Sequence, residues 1–284
     1  MVAVRTGSRL RVGVGRVCAC FGVTRDAYYK LAKRLTRRRA VADRVVELVQ
    51  EERRLQPRVG TRKLHVAMRE QLGAEGIRMG RDKLFTLLRE RGLLVAPRRA
   101  SCRTTNSYHR FHKYGNCIRG MQVTRPNQVW VSDITYIRTA RGFCYLALVT
   151  DLYSRRVLGY DVSDSLELAG CLRALKLALQ VARPAPGLIH HSDRGVQYCS
   201  AAYIECLYKN GISPSMTQEH HCYENAVAER VNGILKDEFF LDQCFLDLKQ
   251  ARKAAADAVR IYNFKRLHVS LGYKTPDVVF KSVA

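Results

Sequence analysis

The chain has 284 residues, enough for about two domains at one per ~150 residues, with 47% hydrophobic and 26% charged side chains. That is ordinary globular composition, and no uncharged apolar run approaches the ~18 to 20 residues of a membrane span, so the transmembrane and disordered classes are excluded. The charge is not ordinary: 49 Lys and Arg against 25 Asp and Glu leave +24 and a pI near 10.0, which points to a polyanionic partner.

The excess is unevenly placed. Residues 1–120 carry 29 basic and 9 acidic side chains, a net +20, whereas residues 121–284 carry 20 and 16, a net +4. The first part suits a surface for phosphates; the second leaves room for carboxylates with a chemical purpose. Ten cysteines are spread without any C-x-x-C, so a reducing cytosol is the expectation rather than a disulfide scaffold. The arginines of the first 16 residues are broken by Gly7, Gly13 and Gly15 and lack the apolar core of a secretory signal.

Along the chain, Thr24 is placed to cap a helix over Arg25 to Leu35, preceded by a turn at Gly22-Val23, which makes residues 1–40 a short, basic, helix-turn-helix-like segment. Val41, Val45, Leu48 and Leu55 form one helical stripe ending at Pro57, too short and too interrupted for a coiled coil. Further helices are expected around Leu64 to Met68 and over Arg81 to Arg91, separated by a turn containing Gly73, Gly76 and Gly80. Residues 41–96 then read as a helical DNA-binding domain with Arg78, Arg81 and Lys83 at the start of its last helix, where a recognition helix meets DNA. A basic three-helix packing module is the bland alternative. Residues 97–126 are polar, basic and without period, and read as a linker able to follow a DNA backbone.

From residue 127 the pattern changes. Val129 to Arg138, Phe143 to Asp151 and Arg156 to Asp161 are β-branched and aromatic runs, the first two joined by a short turn, which makes an antiparallel meander. Helix over Leu166 to Val181, strand over Leu188 to His191, helix over Ala201 to Lys209, strand over Ile212 to Met216, and helices over Asn225 to Phe239 and Leu248 to Phe264 follow. The order βββαβαβαα predicts an α/β domain, a mixed sheet flanked by helices, across residues 127–284.

Three acids are placed for this architecture to gather them. Asp133 lies inside the first strand, where an unpaired carboxylate is costly. Asp193 lies at the exit of the fourth strand in His191-Ser192-Asp193-Arg194-Gly195, with Gly195 allowing a sharp turn. Glu229 lies on a helix, and Asn225, Asn232, Gly233 and Lys236 share its face. Carboxylates from separate elements beside a basic domain suit two hard divalent cations ~3.5 to 4 Å apart, activating one oxygen and stabilising the other in a phosphodiester displacement. Asp151, Asp161 and Asp164 compete for this role and read as turn or strand-end residues.

The run ending in Asp133, the segment His191 to Gly195 with Gln197-Tyr198, and Glu224-Asn225-Ala226-Val227-Ala228-Glu229-Arg230 followed by Lys236 resemble the DDE integrase core. More narrowly, they resemble the second-reading-frame transposases of the IS3 family of insertion sequences, relatives of retroviral integrases; 35 residues separate Asp193 from Glu229, the family spacing. Tyr262-Asn263, Arg266, His268, Ser270-Leu271-Gly272 and Thr275-Pro276 resemble the family's C-terminal signature, and Arg58 to Leu94 its helical DNA-binding segment. Leu267 departs from the usual proline and Glu224 from the usual aspartate.

The resemblance implies a ribonuclease H-like core in which Asp133, Asp193 and Glu229 are catalytic and hold two Mg²⁺ ions, with Mn²⁺ a substitute. It implies that Lys236 meets substrate DNA, with Asn225 beside it. The implied reaction cuts DNA at an element's terminal inverted repeats and joins the freed 3′-hydroxyl to a new phosphodiester. The implied partners are end and target duplexes, further copies of the chain, and an upstream-frame protein carrying a leucine zipper. The place is the bacterial cytosol, at the nucleoid. A non-catalytic DNA-binding regulator made from the second frame alone is the alternative, and a nuclease of RNA–DNA hybrids a more distant one. Zinc at His220, His221 and Cys222 with His190 and His191 is disfavoured, since adjacent histidines are poor tetrahedral partners. Trp130 and Tyr198 are more simply core than base-stacking residues.

Overall fold

A computed structural model describes residues 13–96, 111–218 and 225–282. The first part of the expected linker, and His220, His221, Cys222 and Glu224, lie outside the described residues.

The N-terminal region is helical: α1 (Val14–Cys20), α2 (Arg25–Leu55), α3 (Thr61–Ala67), α4 (Arg69–Ala74) and α5 (Arg81–Glu90). Thr24 caps α2 as expected, its hydroxyl accepting from the Ala27 N–H at 3.1 Å. The helix then runs unbroken through residue 40, where the sequence suggests a boundary. No Gly or Pro interrupts Leu35 to Val41, and the arginines and alanine there are good helix formers. What changes at that point is burial, not backbone. The first half of α2 is exposed, Tyr28, Leu31 and Leu35 included, whereas Val45, Leu48 and Val49 enter a core with Val59, Leu64, Met68, Leu72, Leu84, Leu87 and Leu88. Gly73, expected in a turn, is the fifth residue of α4.

The second region is built on β1 (Val129–Thr139), β2 (Gly142–Asp151), β3 (Val157–Ser163), β4 (Ile189–Ser192) and β5 (Ser213–Met216), in the order β3-β2-β1-β4-β5. The β1/β2 and β2/β3 pairs are antiparallel; β1/β4 and β4/β5 are parallel. A two-residue strand, β6 (Cys244–Phe245), extends the far end of β1. Three antiparallel strands continued by two parallel ones, with helices on both faces, are the ribonuclease H-like fold.

The alternation of strand side chains divides the core in two. Ala147 and Val149 of β2 face α6 (Leu168–Ala182), the short α7 (Val196–Cys199) and α8 (Ala201–Lys209), with Trp130 between them. Leu146 and Leu148 face α9 (Ala226–Glu238) and α10 (Leu248–Phe264), closing over Tyr262. Gly159 of β3 permits the close seat of α6, because a Cβ there would lie 2.0 Å from the Ala174 carbonyl oxygen. A 3-10 turn (Val269–Leu271) and α11 (Pro276–Lys281) complete the chain.

The two regions are joined by buried charge. Lys63 of α3 donates to both carboxylate oxygens of Glu238, at the end of α9, at 2.9 and 3.0 Å. Arg266 grips the same carboxylate with two bonds of 2.8 and 2.6 Å, and Arg58 pairs with Asp237 at 3.0 Å. Cations on both sides hold Glu238 below the usual carboxylate range against the cost of its burial.

Candidate active site

Strand register brings the first two acids together. β1 and β4 run parallel with Ser132 opposite Ser192, so Asp133 and Asp193 are the next residues on neighbouring strands. The site therefore opens at the carboxyl end of β4 in the middle of the sheet. Asp193 is turned back by its own loop, its Oδ1 accepting from the Gly195 N–H at 3.0 Å. Gly195 has an ordinary extended backbone, φ −64°, so its value is not the sharp turn expected of it. Its lack of a side chain matters instead: a Cβ would lie 3.0 Å from Asp193 Oδ1.

The third acid is delivered by α9, which two asparagines fasten to β1. Asn225, at the start of the helix, donates to the Ser132 carbonyl at 3.0 Å, and Asn232 donates to Asp133 Oδ2 at 2.7 Å. Glu229 lies between them, four residues after one and three before the other, on the same helical face. Its side chain is exposed.

The electrostatics of Asp133 record this gathering. Its carboxyl is pushed up to about 7, first by burial, then by the charge of Asp193, with Glu229 adding to the effect; the bonds from Asn232 and the Ile134 N–H oppose it. A buried carboxyl raised further by two neighbouring acids is one that a nearby cation would relieve. The donor set is oxygen only, which suits a hard divalent cation. Among the described residues no group of three or more His, Cys, Asp or Glu side chains is drawn tightly enough to cage an ion as the side chains lie.

Two family models, each described as an integrase core domain, match residues 123–222 and 210–276. The chain is 35% identical, over 92% of its length and 96% of the other's, to an uncharacterized 31 kDa protein of insertion element IS600 from Shigella sonnei. It is 33% identical to the transposase for insertion sequence element IS629 from the same organism, over 94% of this chain and 91% of that one. To transposase InsF for insertion sequence IS3A of Escherichia coli it is 31% identical over 73% of each chain. The chain belongs to the IS3 family of insertion-sequence transposases.

In this transposase the remaining expected residues separate. Asn225 is buried, and its amide is committed to the Ser132 carbonyl, so it fastens a helix and is not available to DNA as expected. Lys236 is half-buried on α9, two turns beyond Glu229. Arg78 is exposed in the loop before α5, Arg81 and Lys83 are exposed in its first turn, and Arg81 pairs with Asp82 at 2.9 Å. Two of the three competing acids are spent on structure. Asp151 accepts from Asn127 and Ser154, and Asp161 from Arg173 and Ser163.

Trp130 and Tyr198 are core residues, with the Trp130 indole N–H donating to Asn127. His191 ties β4 to β5 through Ser215 Oγ at 2.9 Å. His190 is fully buried, with Nε2 bonded to Ser132 Oγ at 2.8 Å and Tyr203 Oη at 3.0 Å. Sequence reasoning gave Asn232 a place on the polar face but no partner; its spacing of three from Glu229 was the available signal. Nothing in the sequence pointed to the pairing of Lys63 with Glu238, 175 residues apart.

Proposed function

We propose that Asp133, Asp193 and Glu229 are the catalytic carboxylates of this transposase, cutting DNA at the element's terminal inverted repeats and transferring the freed 3′-hydroxyl to a target phosphodiester. The observation that carries this reading is geometric: the β1/β4 register sets Asp133 and Asp193 side by side at the strand ends, and Asn225 and Asn232 tie the helix bearing Glu229 to β1. The three would hold two divalent cations, Mg²⁺ with Mn²⁺ as substitute. When bound, such ions lower the barrier of an in-line displacement by neutralising charge on the attacking and leaving oxygens.

The chain's own residues supply the rest. Asn232 fixes the orientation of the Asp133 carboxylate, and Asn225 and Asn232 together fix the height of Glu229 above the sheet. Gly195 keeps Asp193 turned toward the strand ends. Lys236 and the basic face of the helical region, Arg78, Arg81 and Lys83 included, hold the phosphate backbone, a binding mode that weakens steeply with salt. Bringing two ends together requires more than one copy of the chain, and an upstream-frame protein is a candidate partner. The helical region, residues 13–96, would carry the duplex while residues 111–282 carry the chemistry.

The test is a strand-transfer reaction with purified protein, labelled end duplexes and Mg²⁺ or Mn²⁺, resolved on a denaturing gel. Glu229→Gln should abolish both cut and joined products while leaving fold and duplex binding intact. Unchanged products would remove Glu229 from the site. Duplex binding by the wild-type chain without any metal-dependent product would favour a non-catalytic regulator.

A further inference from the structure

A cavity of about 410 Å³ opens on a neighbouring face of α9, between that helix, the C-terminal signature and the helical region. Lys63, Arg155, Arg230, Arg266, His268 and Ser270 are among its walls. Four are cations, and Glu238, bonded by Lys63 and Arg266, answers only part of that charge. Arg155 is the informative member. Its Nη1 is buried and has no hydrogen-bond partner, and the buried Nε2 of His268 has none either. A buried N–H of a charged group without an acceptor is costly, and such groups in native proteins call for a ligand or water.

The backbone of Arg155 argues the same way. It has φ 65°, the left-handed region where glycine or asparagine is the economical choice, yet an arginine stands there. Its N–H donates to the Asp151 carbonyl at 2.9 Å, and its own carbonyl accepts from Tyr262 Oη at 3.0 Å. The guanidinium is thus presented from a backbone held on both sides. Burial lowers its affinity for a proton, with Tyr262 and Asp151 opposing, and burial and the charge of Arg266 lower that of Lys63 in spite of Glu238. Asp151, the acid nearest in the chain, has its carboxylate engaged by Asn127 and Ser154.

We propose that this cavity is a phosphate subsite in which Arg155 and Arg230, with Lys63 and Arg266 behind them, hold a backbone phosphate of the DNA strand running past α9. The proposal rests on the transposase reading for its ligand, but not on the identity of the catalytic acids. Because Lys63 belongs to the helical region and the other walls to the core, a phosphate seated here joins the two regions through the DNA itself. Arg230 directly follows Glu229, so the same helix turn carries a metal-ligand candidate and a phosphate clamp.

The test uses the full chain without divalent metal, so that failure of the catalytic assignment leaves it unaffected. Binding of a labelled duplex would be titrated over a range of salt for wild type, Arg155→Gln, Arg230→Gln and the double variant. The expected result is weaker binding to any sequence, with the slope of log K against log salt smaller by about one for each cation removed. Arg230 is exposed, so its variant should fold; if circular dichroism shows Arg155→Gln unfolded, Arg230→Gln decides alone. Wild-type affinity and slope in the folded variants would overturn the proposal. So would a result in which inorganic phosphate raises the melting temperature of wild type but not of the variants while duplex binding stays unchanged, because the cavity would then serve a free anion.

Discussion

The Asn232 amide donates to Asp133 Oδ2 across 2.7 Å of space and 99 positions of sequence, and this bond orients the most electrostatically strained carboxyl in the transposase. It joins the helix bearing Glu229 to the strand bearing Asp133. Its loss should therefore act on geometry and not on charge. Asn232→Ala is expected to lower strand transfer by ~10- to 100-fold, the usual cost of losing an outer partner of a metal ligand, with duplex binding unchanged. Asn232→Asp, which sets a further carboxylate against Asp133, should melt lower than Asn232→Ala at pH 8 in the absence of metal. Joined product per unit time checks the first expectation and metal-free thermal melting the second.

Asp133 itself yields a prediction of opposite sign for stability and activity. Its folded value of about 7 lies above the ordinary 3.8, so the stability it contributes is present below the lower value and is lost as pH rises through the higher. Above pH 7 the ionised form costs the metal-free fold on the order of a few kcal/mol. Asp133→Asn should thus melt higher than wild type at pH 8 without metal, while abolishing catalysis. Added Mg²⁺ should raise the melting temperature of wild type and not of the variant. Differential scanning fluorimetry with and without EDTA reads both effects, and equal metal stabilisation of the two proteins would remove Asp133 as a ligand.

Most of the core fold was legible in the sequence because its strands and helices have distinct apolar periods. Leu248 to Phe264 coincides with α10, and the β1–β2 meander follows its two β-branched runs to within a residue or so. The neighbourhood of Asp133 and Asp193 was legible from order and spacing, since each lies at or just past a strand that the topology places side by side, β1 and β4. What escaped was whatever depends on a partner far off in sequence. Asn225 read as a polar residue on the face of Glu229 and is a buried fastener, because a helix face tells polar from apolar but not which polar side chain meets a backbone carbonyl. The break expected in α2 failed for a related reason: the stripe changes at residue 40 because the core ends there, while helix propensity continues.

Glu238 should be the weakest point of the junction between the two regions. Lys63 and Arg266 reach it with side chains 14% and 4% exposed, so removing its charge strands two cations out of water. Glu238→Gln is expected to destabilise by about 3 to 5 kcal/mol, as for other broken buried pairs. Lys63→Met combined with Glu238→Gln should recover part of that loss, because one of the stranded charges is gone. Since the two cations hold the Glu238 pKa down against the cost of its burial, this contribution persists at neutral pH and disappears as pH falls through its folded value. Urea denaturation of the single and double variants at pH 7 measures the coupling directly.

Acid should unfold the transposase through its buried histidines before it reaches most carboxylates. Burial lowers His190 and His268 from 6.5 to about 3, with the charge of His191 acting further on the first and that of Arg266 and Lys63 on the second. Between those values the unfolded chain binds protons that the folded chain refuses, so stability falls as pH drops from about 6.5 toward 3. Asp133 works against this over part of the same range, because there the folded chain binds a proton that the unfolded chain does not. Two histidines outweigh one carboxyl, and the net slope stays positive. His190→Gln keeps a side chain able to bond Ser132 and Tyr203 while removing one titration, and it should reduce the slope of unfolding free energy against pH by about one proton, roughly 1.4 kcal/mol per pH unit. Chemical denaturation at half-unit steps from pH 4 to 7 would show it, and an unchanged slope would mean that His190 is already protonated in the fold.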